Sequence, residues 1–398
     1  MTRRTAPLVL VGILLLSLNL RPAAVSVGPV LAEVRDGLSL SPAATGLLTS
    51  LPVLAFAGFG ALAPAAARLV GIHRVTLVAL LALVTGLFAR SLAGNGLLFL
   101  ALSMLALAGM AMANVLLPSL VKLHFPDAIG RVTALYTTAM SIGLTASLVL
   151  TVPVADAFGG WRSGLGVWAG LALVAAVPWL ALVRHDRTLD AAPRTVTFGE
   201  IARTPIGLAM AAFFGLQSLQ AYVAFGWFAT LWRDSGYTAA QAGGLVGLLA
   251  AVAIPLSLWA PHAVSRSSDP RRIMLAVMVC YPLGHLGLLV APHDLALPSA
   301  VLVGVGMVTF PIVLVLIGLR SHTPQGTAAL SSFTQSVGYL LAAAGPFAFG
   351  TVHAATDGWT VPLLGLIVLM VPQVLVGLYI VRPAFVEDQL AHPVTASR

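Results

Sequence analysis

The chain has 398 residues, 59% of them hydrophobic and only 9% charged, with a formal net charge of +8 and a mean hydropathy of +0.98. An ordinary soluble domain carries roughly 25% charged residues, so a water-covered globule is excluded. The single cysteine, Cys280, rules out an intramolecular disulfide and a cysteine-based zinc framework.

The apolar residues come in long, continuous blocks rich in Leu, Ala, Val and Gly. A β-barrel would instead show stretches of alternating polarity, so the blocks read as helices, each needing about 20 residues to cross a bilayer. In chain order the expected spans are 7–31, 43–65, 74–92, 97–121, 131–155, 162–183, 205–230, 239–261, 272–291, 296–319, 327–353 and 359–381. Twelve spans and short loops use almost the whole chain and leave no room for a separate soluble domain. The N-terminus imitates a secretion signal, with Arg3 and Arg4 before the run Leu8–Leu18 and small residues at Ala23 and Ala24. The apolar pattern resumes at once to Leu31, so retention as a membrane helix is expected.

Lys and Arg in short loops set orientation. Counting loops alternately, one side holds sixteen basic residues (Arg3, Arg4, Arg68, Arg74, Lys122, Arg131, Arg184, Arg187, Arg194, Arg203, Arg266, Arg271, Arg272, Arg320, Arg382 and Arg398). The other holds four, Arg35, Arg90, Arg162 and Arg233. The rich side is expected to be cytoplasmic, which puts both termini inside a bacterial inner membrane and makes nucleic acid an unneeded explanation of the charge. The longest polar stretch divides the spans six and six. Residues 1–183 are read as an N-terminal six-helix bundle, 184–204 as a central cytoplasmic loop, 205–383 as a C-terminal six-helix bundle and 384–398 as a cytoplasmic tail. A repeat supports the division. TALYTTAMSIG from Thr133 matches AALSSFTQSVG from Ala328, with Ala134/Ala329, Leu135/Leu330, Ser141/Ser336 and Gly143/Gly338 at one offset of 195 residues. Gly160-Trp161 and Gly358-Trp359 then open the last span of each half. Carriers built from such repeats bind near the bilayer midplane at the repeat interface.

A charge inside the membrane is costly and therefore a functional candidate. Glu33, Arg35 and Asp36 fall at the outer end of span 1, and Arg90 at the outer end of span 3, where each is expected to reach an interface. Arg21 alone is expected to be deep. Ser17, Arg21, Ala24 and Gly28 recur at helical spacing on one face, and Pro22 leaves the Leu18 carbonyl without its usual donor, loosening the helix beside the charge. The planar guanidinium fork suits a carboxylate, cyanate or a planar polar ring. The plainer reading is a tie between helices.

Span 7 places Phe213, Gln217, Gln220, Ala224 and Trp227 on one face, with Tyr222 to one side. They read either as cavity lining or, for the glutamines, as interhelical hydrogen bonds and, for Trp227, as part of an interfacial belt. Span 11 carries Ser331, Gln335, Gly338, Tyr339 and Ala342 on a similar stripe. Its repeat mate, span 5, offers Tyr136 and Thr137, and Asn114 is the strong polar residue of span 4, one turn before Pro118. The candidate substrate-binding residues are therefore Arg21, Asn114, Tyr136, Gln217, Gln220, Tyr222, Trp227, Gln335 and Tyr339. His285 reads as a hydrogen-bonded or lipid-edge residue rather than a proton relay. No paired carboxylate at depth, HExxH, nucleophile elbow or phosphate loop occurs, so an enzyme, a resident metal or a cofactor is not expected.

Gly160-Trp161-Arg162 after span 5, with twelve spans in two halves, resembles the major facilitator superfamily. The loop after span 2, Gly60 to Arg74, keeps that family's glycine and basic positions but has Pro64 at the usual aspartate. Asn19-Leu-Arg21-Pro22 with Ser26-Val-Gly28-Pro29, Gly46-Leu-Leu-Thr49-Ser50-Leu-Pro52, Ala113-Asn114-Val-Leu-Leu-Pro118, Leu135-Tyr136-Thr137-Thr138, Gly215-Leu-Gln217-Ser218 and Gln335-Ser-Val-Gly338-Tyr339 resemble the cyanate permease and nitroimidazole transporter group. The resemblance implies an all-α fold of two pseudo-symmetric six-helix bundles and a small anionic or planar polar cargo. The expectation is a monomeric secondary transporter working by alternating access, with or without a coupled proton or ion. The rival is a multidrug-type efflux carrier of the same superfamily.

Overall fold

The structure, a computed structural model, describes residues 6–185 and 196–391. Arg3, Arg4, Arg187, Arg194, Arg398 and residues 186–195 of the central loop lie outside the described residues. Among those described there is no strand. Twelve helices are long and apolar enough to cross a membrane: Pro7–Val30, Leu51–Val70, Ile72–Ser91, Gly96–His124, Pro126–Ala157, Trp161–Leu182, Pro205–Asp234, Gln241–Arg266, Pro270–Val290, Ala296–Leu319, Pro324–Thr356 and Thr360–Ile380. They are numbered as spans 1 to 12. The helix of span 2 opens at Pro42 and passes through a widened π turn at Phe56–Gly60.

The boundaries follow local chemistry. Asn95 Oδ1 accepts from the Leu98 amide at 2.9 Å and starts span 4. Thr204 Oγ1 accepts from Gly207 N at 3.1 Å ahead of Pro205, and Thr323 Oγ1 from Gly326 N at 3.0 Å ahead of Pro324. Each such cap satisfies a donor that the first turn cannot pair and contributes about 1 kcal/mol. Gly71 (φ 98°) and Gly160 (φ 108°) supply left-handed backbone where one span turns directly into the next.

The chain divides into two compact units, Met1–Asp127 with Leu135–Val196, and Ala128–Ala134 with Thr197–Arg398. In the first, span 3 packs on spans 4 and 6, and span 1 on spans 6 and 4. Small residues let these backbones touch, as in many membrane helix pairs. A Cβ at Gly86 would lie 2.8 Å from the Ala106 Cα, and one at Gly109 3.0 Å from the Leu83 amide. In the second unit the dominant pair is span 7 on span 11, with span 12 behind span 7 and span 9 against spans 10 and 12. Large apolar side chains such as Leu62, Leu69, Leu97 and Phe347 face outward, as a lipid-covered surface requires.

The repeat mates Gly143 and Gly338 do the same work within their own units. A Cβ at Gly143 would collide with the Leu18 carbonyl oxygen of span 1 and lie 2.9 Å from its carbon. A Cβ at Gly338 would lie 2.7 Å from Phe214 Cδ1 and 3.1 Å from the Gly215 amide of span 7. Span 5 thus meets span 1 as span 11 meets span 7.

The last described segment is a short helix, Val386–Ala391, held against the second unit. The Val386 amide donates to Arg320 O at 3.0 Å. Arg320, counted from the sequence as a loop charge, is buried. Its Nε and Nη2 donate to Ile380 O and Val381 O at 2.8 Å each, closing the carbonyl end of span 12.

Candidate functional site

Span 1 is broken where the sequence placed its charge. The first helix stops at Leu20, Arg21 forms the joint, and Pro22–Val25 makes one further turn. A 3-10 turn comes next, at Gly28–Val30. Pro22 has no amide to give, so the Leu18 carbonyl loses its helical partner and lies against Gly143 of span 5. The Arg21 carbonyl accepts from the Ala24 and Val25 amides at 3.1 Å each, starting the short turn. Both flanks of the joint are tied down. Upstream, Asn19 Nδ2 donates to Leu15 O at 2.8 Å and to Leu171 O of span 6 at 3.3 Å. Downstream, Arg90 of span 3 donates through Nη1 to Ala23 O at 3.2 Å and through Nη2 to Ser26 Oγ at 3.0 Å.

The structure corrects two expectations at this joint. Arg90 lies at the end of span 3 but its side chain does not turn outward. It is 1% exposed, because the carbonyl left at the end of the short turn gives its guanidinium an internal acceptor. The expected continuous face Ser17–Arg21–Ala24–Gly28 does not persist either. Ser17 is buried and bonds its own helix at Ile13 O, 2.7 Å, whereas Gly28 is exposed, since the break rotates the downstream residues about the helix axis. Arg21 itself is half-buried. In the same unit Asn114 and Tyr136 are buried at 3% and 0% exposure. Among the described residues no Asp or Glu is buried, so the interior of this unit carries cationic character without a buried carboxylate.

The second unit gathers part of the sequence-derived set. Tyr339 stands edge-on to Phe214 with centroids 4.9 Å apart, and Tyr222 lies 6.2 Å from Tyr339. Phe310 of span 10 joins them 5.9 Å from Phe214. Gln217 Nε2 donates to Phe214 O at 3.2 Å and to Ser218 Oγ at 2.6 Å, beside this cluster. Gln335, one turn before Tyr339, donates to Ser331 Oγ at 2.8 Å. Amide groups thus flank a wall of rings.

Two candidates are engaged elsewhere. Gln220 Nε2 donates to Leu366 O of span 12 at 3.0 Å, with Met370 Sδ 3.5 Å away. Trp227 Nε1 donates to Pro346 O at 3.0 Å, and its ring lies 6.2 Å from Trp359 and 6.1 Å from Phe349. His285 departs from both expectations held for it. It is fully buried, so it is not at the lipid edge. Neither ring nitrogen has a hydrogen-bond partner; the ring packs between Tyr281 and Phe228, each 5.9 Å away.

Sequence reading missed Arg90, Phe214 and Phe310. Phe214 and Phe310 look like any apolar position in an apolar run. Arg90 carried one usable signal, a charge inside the end of a span rather than beyond it. No group of three or more His, Cys, Asp or Glu among the described residues is placed to hold a metal ion.

Residues 10–346 match the family model of the Major Facilitator Superfamily. The chain is 36% identical over 369 residues to the 2-nitroimidazole transporter of Escherichia coli strain K12, covering 92% of this chain and 93% of that one. It is 25% identical over 351 residues to the cyanate transport protein CynX of the same organism, covering 88% and 91%. The E. coli fucose:proton symporter shares the fold, with a TM-score of 0.73 at 15% identity over 94% of this chain and 98% of that one. With its twelve membrane-spanning helices and relatives that are transporters rather than enzymes, the chain belongs to the major facilitator superfamily, as a multi-pass membrane transporter of the cyanate and nitroimidazole transporter group.

Proposed function

We propose that the protein is a secondary transporter that moves a small anionic or planar polar solute across the inner membrane by alternating access, with Arg21 as the polar anchor of the substrate. The observation that carries the reading is the joint in span 1. The half-buried Arg21 sits where the helix is interrupted, and spans 3, 5 and 6 hold the backbone on either side of it. Fixing a charged group in advance lowers the entropy lost on binding, and the planar fork matches a planar anion or a polar azole better than a lysine would. In the second unit, Gln217 and Gln335 offer neutral amides, and Tyr222, Tyr339 and Phe214 offer ring faces suited to a flat solute. Asn114 and Tyr136 serve in the first unit. The names of the two bacterial relatives agree with cargo of this chemistry. Both termini are assigned to the cytoplasm by the loop charges, with residues 1–183 and 205–383 acting as the two moving halves.

The test is flux in proteoliposomes, using 2-nitroimidazole and cyanate as probes. Arg21→Ala is expected to abolish flux while the protein still inserts, and Arg21→Lys to retain little. Undiminished flux of either probe through Arg21→Ala removes Arg21 from the site. Flux of dissimilar lipophilic drugs that ignores Arg21 moves the assignment to multidrug efflux.

A further inference from the structure

Arg90 has more structure than a membrane-edge charge needs. It occupies the second-last position of span 3, yet its side chain is 1% exposed. Two of its nitrogens are engaged, Nη1 to Ala23 O at 3.2 Å and Nη2 to Ser26 Oγ at 3.0 Å. Nε has no partner, and no described Asp or Glu is buried to offset the charge. A buried cation held only by neutral acceptors is an expensive device for fastening helices, because an apolar side chain of similar size fills the same space without the desolvation cost.

What the guanidinium contributes is a cap. In the turn Pro22–Val25 the backbone bonds run Ala24 N and Val25 N to Arg21 O, and Ser26 N to Pro22 O; the next is Val30 N to Val27 O. Ala23 O is therefore passed over by the backbone at the carbonyl end of the turn and receives Arg90 instead. A cation at a helix carbonyl end also opposes the local dipole. Arg320 does the same at the end of span 12, donating to Ile380 O and Val381 O.

The capped turn begins at Arg21. Its amide end is the joint that carries the proposed substrate anchor, and its carbonyl end is Ala23–Ser26, held by span 3. We propose that Arg90 is a positioning residue. It fixes the short turn of span 1 and thereby sets where the Arg21 side chain meets its substrate. This rests on the assignment of Arg21 to the substrate site. The two acceptors lie on different residues and take different nitrogens of the planar fork, a spread that a single ammonium nitrogen does not reproduce.

The full-length purified protein tests this with two readouts, amide hydrogen exchange over residues 23–30 and affinity for 2-nitroimidazole and cyanate. Arg90→Met is expected to raise exchange at Val25–Val30 and to weaken probe affinity by about tenfold, equivalent to about 1.4 kcal/mol, while the melting temperature changes little. Arg90→Lys is expected to fall between. If Arg90→Met does not fold, Ser26→Ala removes one acceptor without touching the charge and is expected to give a smaller rise in local exchange and a smaller affinity loss. Wild-type exchange and affinity in the Arg90 or Ser26 variant, with affinity lost in Arg21→Ala, overturns the positioning role and leaves the Arg21 assignment standing. Full affinity in Arg21→Ala overturns that assignment; unchanged exchange over 23–30 in the Arg90 variant then overturns the capping role as well.

Discussion

Replacing Gly143 with alanine drives a methyl group into the backbone of span 1. The new Cβ overlaps the Leu18 carbonyl oxygen, lies 2.9 Å from its carbon and 3.2 Å from the Leu18 Cα. Carbon atoms settle at about 3.5–4.0 Å, so spans 1 and 5 must separate by roughly 0.6 Å or more. Every atom struck is backbone, and no rotamer change relieves the clash. Overpacking of this kind costs about 1–3 kcal/mol, which for a unit of this size lowers the melting temperature by about 5 °C. Leu18 is three residues before Arg21, so the displacement also reaches the joint and is expected to weaken probe binding. Thermal unfolding of the detergent-purified protein, followed by fluorescence-detected size exclusion, reads the first effect, and titration with 2-nitroimidazole the second. Gly226 is the internal control. A Cβ there meets nothing within 4 Å, so Gly226→Ala is expected to be neutral or stabilising by about 0.5–1 kcal/mol through lower chain entropy. Equal behaviour of Gly143→Ala and Gly226→Ala would refute the packing argument.

Gly338→Ala is expected to copy Gly143→Ala in the second unit, since its Cβ meets Phe214 Cδ1 at 2.7 Å and the Gly215 amide at 3.1 Å; the same melting assay checks it. Gln220→Leu removes the bond to Leu366 O and is expected to cost about 0.6–1 kcal/mol of stability with flux retained, whereas Gln217→Ala is expected to lower flux more than stability. The docked tail gives a pH prediction. Burial by itself raises the Glu387 carboxyl, but hydrogen bonds from Ser321 and from the amides of His322, Glu387 and Thr323 outweigh it and hold the group below its ordinary range. A depressed carboxylate contributes stability above its unfolded value, about 4.3 for glutamate, and loses it as the pH falls through the folded value. The melting-temperature gap between wild type and Glu387→Gln is therefore expected to be constant from pH 7 to about pH 5.5 and to shrink below the ordinary glutamate range. A gap that widens on acidification contradicts the clamp.

The spans were legible because bilayer crossing imposes a one-dimensional rule, about 20 apolar residues in a row, whereas the cap at Thr323 starts span 11 at Pro324, ahead of the 327 expected from hydropathy. The break beside Arg21 was legible because Pro22 removes a donor whatever surrounds it. Lateral contacts were not. Arg90 near the end of an apolar run looks the same whether it turns to a headgroup or inward to Ala23 O. Gln220 and Gln217 share a helix face at the level of the sequence, yet only Gln220 lies where span 12 presents a carbonyl. His285 reads as polar and therefore bonded, but its neighbours are the rings of Tyr281 and Phe228. The tail reads as a polar end, and the sequence gives no sign that Ser321, His322 and Thr323 supply Glu387 with four donors that dock its helix.

The most direct measurement is calorimetric titration of purified protein, wild type and Arg21→Ala side by side, with 2-nitroimidazole and with cyanate. Saturable binding of one probe to wild type, and none to an Arg21→Ala variant that melts as wild type does, is the predicted result. Equal binding by the two proteins would contradict the account, leaving Arg21 as a structural joint and the substrate held elsewhere.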